Sequence, residues 1–129
     1  MVKTKIILDT NFLIYCAKNK IDYRQEIERL VKEGHDLVVP GQVVEELRQL
    51  SEKAHKFSDK SAAKLALKLI EANEVNVISA CGDYADKAIL DLVKKEGGVV
   101  ATIDLALRKK VGMLNRAIVI EGKRKVAWD

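Results

Sequence analysis

A chain of 129 residues is the size of one domain, since domains commonly run about 100 to 150 residues, and this excludes a two-domain enzyme. Apolar residues make up 48% and charged residues 33%, enough to bury a core beneath a hydrated surface, which argues against disorder. Lys and Arg number 23 against 19 Asp and Glu, a net charge of +4 that permits an anionic partner without requiring one.

Short Val- and Ile-rich runs alternate with stretches of helical spacing, the pattern of repeated βα units. The first strand is expected at Lys5–Leu8. It stops at Asp9-Thr10-Asn11, residues suited to caps and turns, before a helix entered through Phe12-Leu13-Ile14-Tyr15. A second helix fits Tyr23–Lys32, with Ile27, Leu30 and Val31 inward and Gly34 as its stop. Leu37–Val39 reads as the next strand. After Pro40-Gly41, Val43, Val44, Leu47 and Leu50 keep helical spacing. The polar stretch Ser51–Lys60 is expected to break the pattern before Ala62–Ala72 resumes it as the second half of a helical pair. A third strand follows at Val75–Ser79. A helix over Asp83–Lys95, with Ala85, Ile89, Leu92 and Val93 inward, is ended by Gly97-Gly98. Val99–Thr102 is the fourth strand, Leu105–Lys110 a short helix, Ala117–Ile120 a fifth strand, and Lys125–Trp128 a small edge strand or tail.

Strands joined by helices pair in parallel through right-handed crossovers. The expected fold is therefore α/β: a single domain over residues 1–129 with a central, mostly parallel sheet of about five strands and helices on both faces. Cys16 and Cys81 are too few for a disulfide scaffold and read as small core residues, which together with the absence of a cleavable leader pattern places the chain in the reducing cytoplasm. No run approaches the ~18 apolar residues of a membrane span, so a soluble protein with no membrane partner is expected.

Ligands of such folds bind beyond the carboxyl ends of the strands, where strand order reverses. Asp9 follows the first strand and Asp104 lies two residues past Thr102 at the end of the fourth. Glu46 falls about one and a half turns into the helix after the second strand, and Asp83 and Asp86 open the helix after the third. Taken singly, Asp83 is a helix cap, Glu45 a solvated acid, and Asp86 a carboxylate favoured by any first helical turn. Asp9 and Asp104 differ, because an acid ending an apolar strand is partly buried and needs a cation or several N–H groups to compensate. Carboxylates gathered at one rim must take up protons or share a cation. Oxygen ligands without His or Cys select Mg²⁺ or Mn²⁺. Such ions activate water and neutralise phosphoryl oxygens, so hydrolysis of a phosphodiester is the natural reaction.

Asp9-Thr10-Asn11 after Ile6-Ile7-Leu8, Val43-Val44-Glu45-Glu46-Leu47 after Val39-Pro40, Tyr84-Ala85-Asp86-Lys87-Ala88-Ile89-Leu90, and Val100-Ala101-Thr102-Ile103-Asp104 followed by Leu107-Arg108 stand in this order along the chain. In these four motifs the chain resembles the PIN-domain family of metal-dependent ribonucleases, and the resemblance spans nearly its whole length. It looks most like short archaeal-type members related to nucleases of small-subunit ribosomal RNA processing; toxins of toxin–antitoxin pairs share the same acids. The resemblance implies a PIN-like three-layer sandwich and an endoribonuclease acting on single-stranded RNA. In it Asp9, Glu46, Asp86 and Asp104 hold Mg²⁺ or Mn²⁺ as catalytic ligands, and Asn11 and Thr102 orient a carboxylate or a water. Lys87 departs from the pattern, standing where many processing-type relatives carry another acid, which leaves one or two ions open.

Arg108, Lys109 and Lys110 follow Asp104 closely and are the first candidates for gripping RNA. Lys53, His55, Lys56 and the stripe Lys60, Lys64, Lys68 could contact phosphates or be solvated, and Lys123-Arg124-Lys125 adds a third basic cluster. Tyr15 and Phe57 are candidate stacking residues, with core packing as their ordinary role. The partners the resemblance brings in are a second copy of the chain as a homodimer, an antitoxin, or a ribosome-assembly protein. Two rivals stand beside the nuclease. A receiver-like or phosphatase-like domain needs paired acids after the first strand and a strand-end lysine, which this chain lacks. An RNA-binding scaffold without catalysis binds and does not cut.

Overall fold

The computed structural model describes residues 3–113, 115–122 and 124–129. In chain order they form β1 (Thr4–Leu8), α1 (Thr10–Lys18), α2 (Tyr23–Leu30), β2 (His35–Pro40), α3 (Gly41–Lys53), α4 (Phe57–Ala72), β3 (Asn76–Ile78), α5 (Ala85–Glu96), β4 (Val99–Ala101), α6 (Leu105–Gly112), β5 (Ala117–Glu121) and β6 (Lys125–Trp128). They make one six-stranded sheet in the order β3-β2-β1-β4-β5-β6, parallel from β3 through β5 and closed by antiparallel β6. The α/β class and the mostly parallel sheet are as expected, and the C-terminal segment is the sixth strand.

The central strands are apolar throughout because both faces are covered. Ile6, Ile7, Leu8, Val39, Val100, Ala101 and Ile118 are all at most 1% exposed. Against them the helices bury the residues their spacing selects, among them Phe12 and Leu13 of α1, Ile27 of α2, Val43 and Leu47 of α3, and Ile89 of α5. Phe12 meets Tyr23 edge to face with ring centroids 6.4 Å apart. The small residues Ala62, Ala63 and Ala66 on the buried side of α4 let that helix pack closely. Gly98, with φ +112°, brings the start of β4 so near β1 that a Cβ there would lie 2.9 Å from the Lys5 carbonyl oxygen.

Several boundaries depart from the periodic reading for physical reasons. Helix α2 ends at Leu30, not Lys32, because Val31 turns extended (φ −95°, ψ 106°) and buries its side chain to 2% exposure; Gly34 instead precedes β2. The break between α3 and α4 spans only residues 54–56. Polar Ser51, Glu52 and Lys53 stay helical on the outer side, with the Ser51 hydroxyl donating to the Arg48 carbonyl at 2.7 Å. Cys16 is core as expected, whereas Cys81 is exposed between β3 and α5, so it is not a core residue. The β6 edge is covered by α2: Arg29 donates to the Val126 carbonyl at 3.1 Å, and the Val126 N–H donates to Glu26 Oε1 at 3.2 Å.

Strand β1 has β2 on one side and β4 on the other, so the order reverses there. The crevice such a reversal opens lies beyond the carboxyl ends of β1 and β4, at Asp9 and Asp104.

Candidate active site

Asp9 leaves β1 with its N–H donating to the Ala101 carbonyl of β4 at 3.0 Å and serves as N-cap of α1. Only 2% of it is exposed. Its Oδ1 accepts from the Thr10 N–H and its Oδ2 from the Thr102 hydroxyl, each at 2.8 Å. Thr102 is fully buried, and its Oγ1 in turn accepts from the Asp104 N–H at 3.0 Å. Asp104 caps α6, its Oδ1 accepting from Ala106 and Leu107 N–H at 2.9 and 3.1 Å. One hydroxyl therefore links the two strand-end acids and fixes both.

Glu46 reaches from α3 to the start of α5, where its Oε2 accepts from the Ala85 N–H at 2.8 Å. Helix α5 has Tyr84 at its N-cap with no side-chain cap bond of its own, so Glu46 supplies the acceptor. Asp83, expected to cap this helix, does not; it lies outside the helix, which starts at Ala85. The preceding loop is pinned by Gln42, whose Nε2 donates to the carbonyls of Ala80 and Gly82 at 2.8 Å each. The Cys81 N–H is held by Asp91 Oδ2 at 3.1 Å. Gly82 has φ +136°, and a Cβ there would stand 2.8 Å from Lys87 Cβ, so the close turn into α5 needs glycine. These contacts set the position of Asp86 in the first turn of α5.

Asp9 and Asp86 both feel neighbouring acids. Burial pushes the Asp9 carboxyl from 3.8 up to about 6. The Thr102 bond opposes the rise, the Asp86 charge adds to it, the Thr10 bond opposes it, and Asp104 adds again. Asp86 is raised by its own burial and then by the charges of Asp104 and Glu46, with Lys110 opposing. Among the described residues no three His, Cys, Asp or Glu side chains stand close enough together to hold a metal ion as they are placed. The donor set nonetheless fits a hard dication. It is all carboxylate oxygen, its most buried member has no ion pair among the described residues, and each acid that caps a helix does so through one oxygen. An open arrangement of this kind suits an ion that keeps several of its waters.

The remaining candidates are distributed unevenly. Lys110 lies near enough to act on Asp86 and Lys109 is exposed, but Arg108 is engaged by Asp129. Asn11 is exposed on the first turn of α1, with no hydrogen bond to an acid among the described residues. Lys64 and Lys68 face solvent and Lys60 is half-buried. Tyr15 packs against the core, whereas Phe57 is 82% exposed. Arg124 and Lys125 are exposed; Lys123 lies outside the described residues. Sequence reasoning missed Gln42. A Gln just after Pro-Gly carries no signal of the loop it will hold.

Comparison with known proteins bears on the family and the fold. The family described as PIN like domain matches residues 6–124. Ribonuclease VapC4 of Methanocaldococcus jannaschii is 37% identical over 123 residues, covering 94% of this chain and 92% of the relative. Among solved structures, the PIN domain endonuclease Utp24 superposes with TM-score 0.80 at 21% identity over 97% of this chain and 90% of that one. VapBC2 from Rickettsia felis, bound to a DNA fragment from its promoter, does so with TM-score 0.64 at 18% identity over 97% and 99%. The two structural likenesses concern the fold.

Proposed function

The chain belongs to the PIN-like domain family, and from that premise we propose that it is an endoribonuclease. It hydrolyses phosphodiester bonds of single-stranded RNA with Mg²⁺ or Mn²⁺ held by Asp9, Glu46, Asp86 and Asp104. The observation that carries this reading is Asp9: a carboxyl 2% exposed whose ionised form is disfavoured by burial and by two neighbouring acids. A protein has little reason to keep such a group unless something positive binds beside it. A divalent ion there supplies charge that neutralises a phosphoryl oxygen and acidifies water.

The chain's own groups do the positioning. Thr102 aims Asp9 Oδ2 and ties the Asp104 backbone to it, so the two acids keep their spacing. Glu46, bonded to the start of α5, holds Asp86 in register with them. Lys110, whose charge favours the ionised form of Asp86, and exposed Lys109 face the approach of an RNA phosphate. The resemblance of the chain to VapC4 supports the toxin of a toxin–antitoxin pair as the physiological setting in preference to ribosomal RNA processing. An adjacent antitoxin gene whose product blocks cleavage is its direct check.

Labelled single-stranded RNA is incubated with the protein in Mn²⁺, Mg²⁺ or chelator, beside Asp9→Asn and Asp104→Asn. Cleavage with metal, and its loss in chelator and in both variants, is expected. Equal cleavage in all samples overturns the metal mechanism. Binding without cleavage under any metal leaves an RNA-binding scaffold.

A further inference from the structure

Glu46 belongs to two places at once. Its carboxylate reaches the acid cluster through Ala85, and it also forms the near wall of an open cleft of about 430 Å³ lined further by Gln49, Leu50, Lys53, Ala54 and His55. Positions 46, 49, 50 and 53 follow the i, i+3, i+4, i+7 spacing of one helix face, and the cleft closes at the turn between α3 and α4. From Glu46 to Lys53 along α3 is about 10 Å at ~1.5 Å per residue, room for a base and the phosphate beyond it.

We propose that this cleft is a subsite for the nucleobase flanking the scissile phosphate, with Gln49 as the residue that reads it; the proposal rests on the ribonuclease reading above. The cleft has the chemistry a nucleobase requires. Leu50 and Ala54, both half-buried, give an apolar surface for the ring face. The Gln49 amide offers a donor and an acceptor side by side, the pair that recognises the edge of adenine. Lys53 meets the following phosphate and His55 borders the far side. Aromatic surface continues past the cleft at Phe57, 82% exposed at the start of α4, an unusual place for a phenylalanine that no core claims. Among the described residues, the side chains of Gln49, Lys53, His55 and Phe57 enter no hydrogen bond, ion pair or ring contact, so their polar and aromatic groups remain available to a ligand.

The test is cleavage of a randomised single-stranded RNA library with Mn²⁺, followed by sequencing of the new ends. The protein as it exists is expected to favour one base at one position beside the cut. Gln49→Ala flattens that preference roughly tenfold, by slowing cutting beside the preferred base towards the rate at the other bases. Gln49→Glu, which exchanges the donor for an acceptor, shifts the preference to a different base instead of flattening it. Lys53→Ala raises KM to a similar extent for all sequences and reduces the salt dependence. Both Gln49 and Lys53 are exposed, so melting temperatures close to that of the parent protein confirm intact folding. A parent protein that cuts without base preference, or Gln49 variants that keep the parental preference, overturns the subsite and leaves the ribonuclease standing. A protein that cuts no RNA overturns both.

Discussion

Asparagine in place of Asp9 keeps the side-chain shape and removes its charge. In the folded protein the carboxyl titrates at about 6 instead of 3.8, chiefly because it is buried. At neutral pH the ionised form therefore costs about 3 kcal/mol relative to the unfolded chain, at ~1.4 kcal/mol per pKa unit. The sign follows from proton binding. Between pH 3.8 and about 6 the folded state holds more protons than the unfolded one, so this group lowers stability as pH rises through that window, and its full penalty persists above it. Asparagine avoids the penalty but spoils one bond. Its amide nitrogen would face a Thr102 hydroxyl that already accepts from the Asp104 N–H, a loss of about 1–2 kcal/mol. In chelator at pH 7 the Asp9→Asn protein should be more stable by about 1–2 kcal/mol, a Tm higher by roughly 4–7 °C for a chain of this length. Near pH 3.5 the parent carboxyl is protonated, and the order should reverse or vanish. Thermal melts in EDTA between pH 3.5 and 8 read both effects. A variant less stable than the parent at pH 7, with a gap that does not move with pH, would refute the claim that Asp9 is an ionised group kept at a cost.

Other consequences follow from the same geometry. Mn²⁺ at a hundred times its dissociation constant should stabilise the parent by about 2.7 kcal/mol and Asp9→Asn far less, a difference that calorimetry in matched buffers resolves. Thr102→Val removes the hydroxyl that lowers the Asp9 pKa and positions the Asp104 backbone. It should cost about 1–3 kcal/mol and move the acid limb of the cleavage rate to higher pH, which a pH–rate profile checks. Gln42→Ala releases the two carbonyls of the loop before α5; kcat should fall with all four acids present, and hydrogen exchange at residues 80–86 should quicken. Asp129→Asn frees Arg108 from its ion pair and should tighten RNA binding at low salt, an advantage that disappears as salt is raised.

What the sequence made legible is what periodicity and strand ends encode. The buried runs Ile6-Ile7-Leu8 and Val99-Val100-Ala101 could only be strands covered on both faces. Acids placed directly after such runs had to lie at the sheet's carboxyl edge, whatever the exact helix limits. Boundaries were less readable because local signals compete with packing. The polar residues after Leu50 suggest a break, yet on the outer side of α3 they simply continue the helix, and Val31 leaves its helix early because the core takes its side chain.

The least legible feature was the partner of each acid, since a helix N-terminus in a sequence suggests a cap from its own chain segment. Asp83 looked like that cap, but the acceptor for α5 comes from Glu46, 39 residues earlier, and nothing in either local segment announces the pairing. The arrangement gives Glu46 two effects: Oε2 holds the start of α5, and with it Asp86, while its charge acts on the Asp86 carboxyl. Glu46→Gln should therefore separate the two: an amide oxygen can still accept from the Ala85 N–H, so α5 and the melting temperature should be largely retained, while the site loses one of its negative charges. Glu46→Ala removes both, and should lower stability by roughly 0.5–2 kcal/mol, the usual effect of losing a cap, in addition to activity. If the two variants melted alike, the bond to Ala85 would not be what places Asp86.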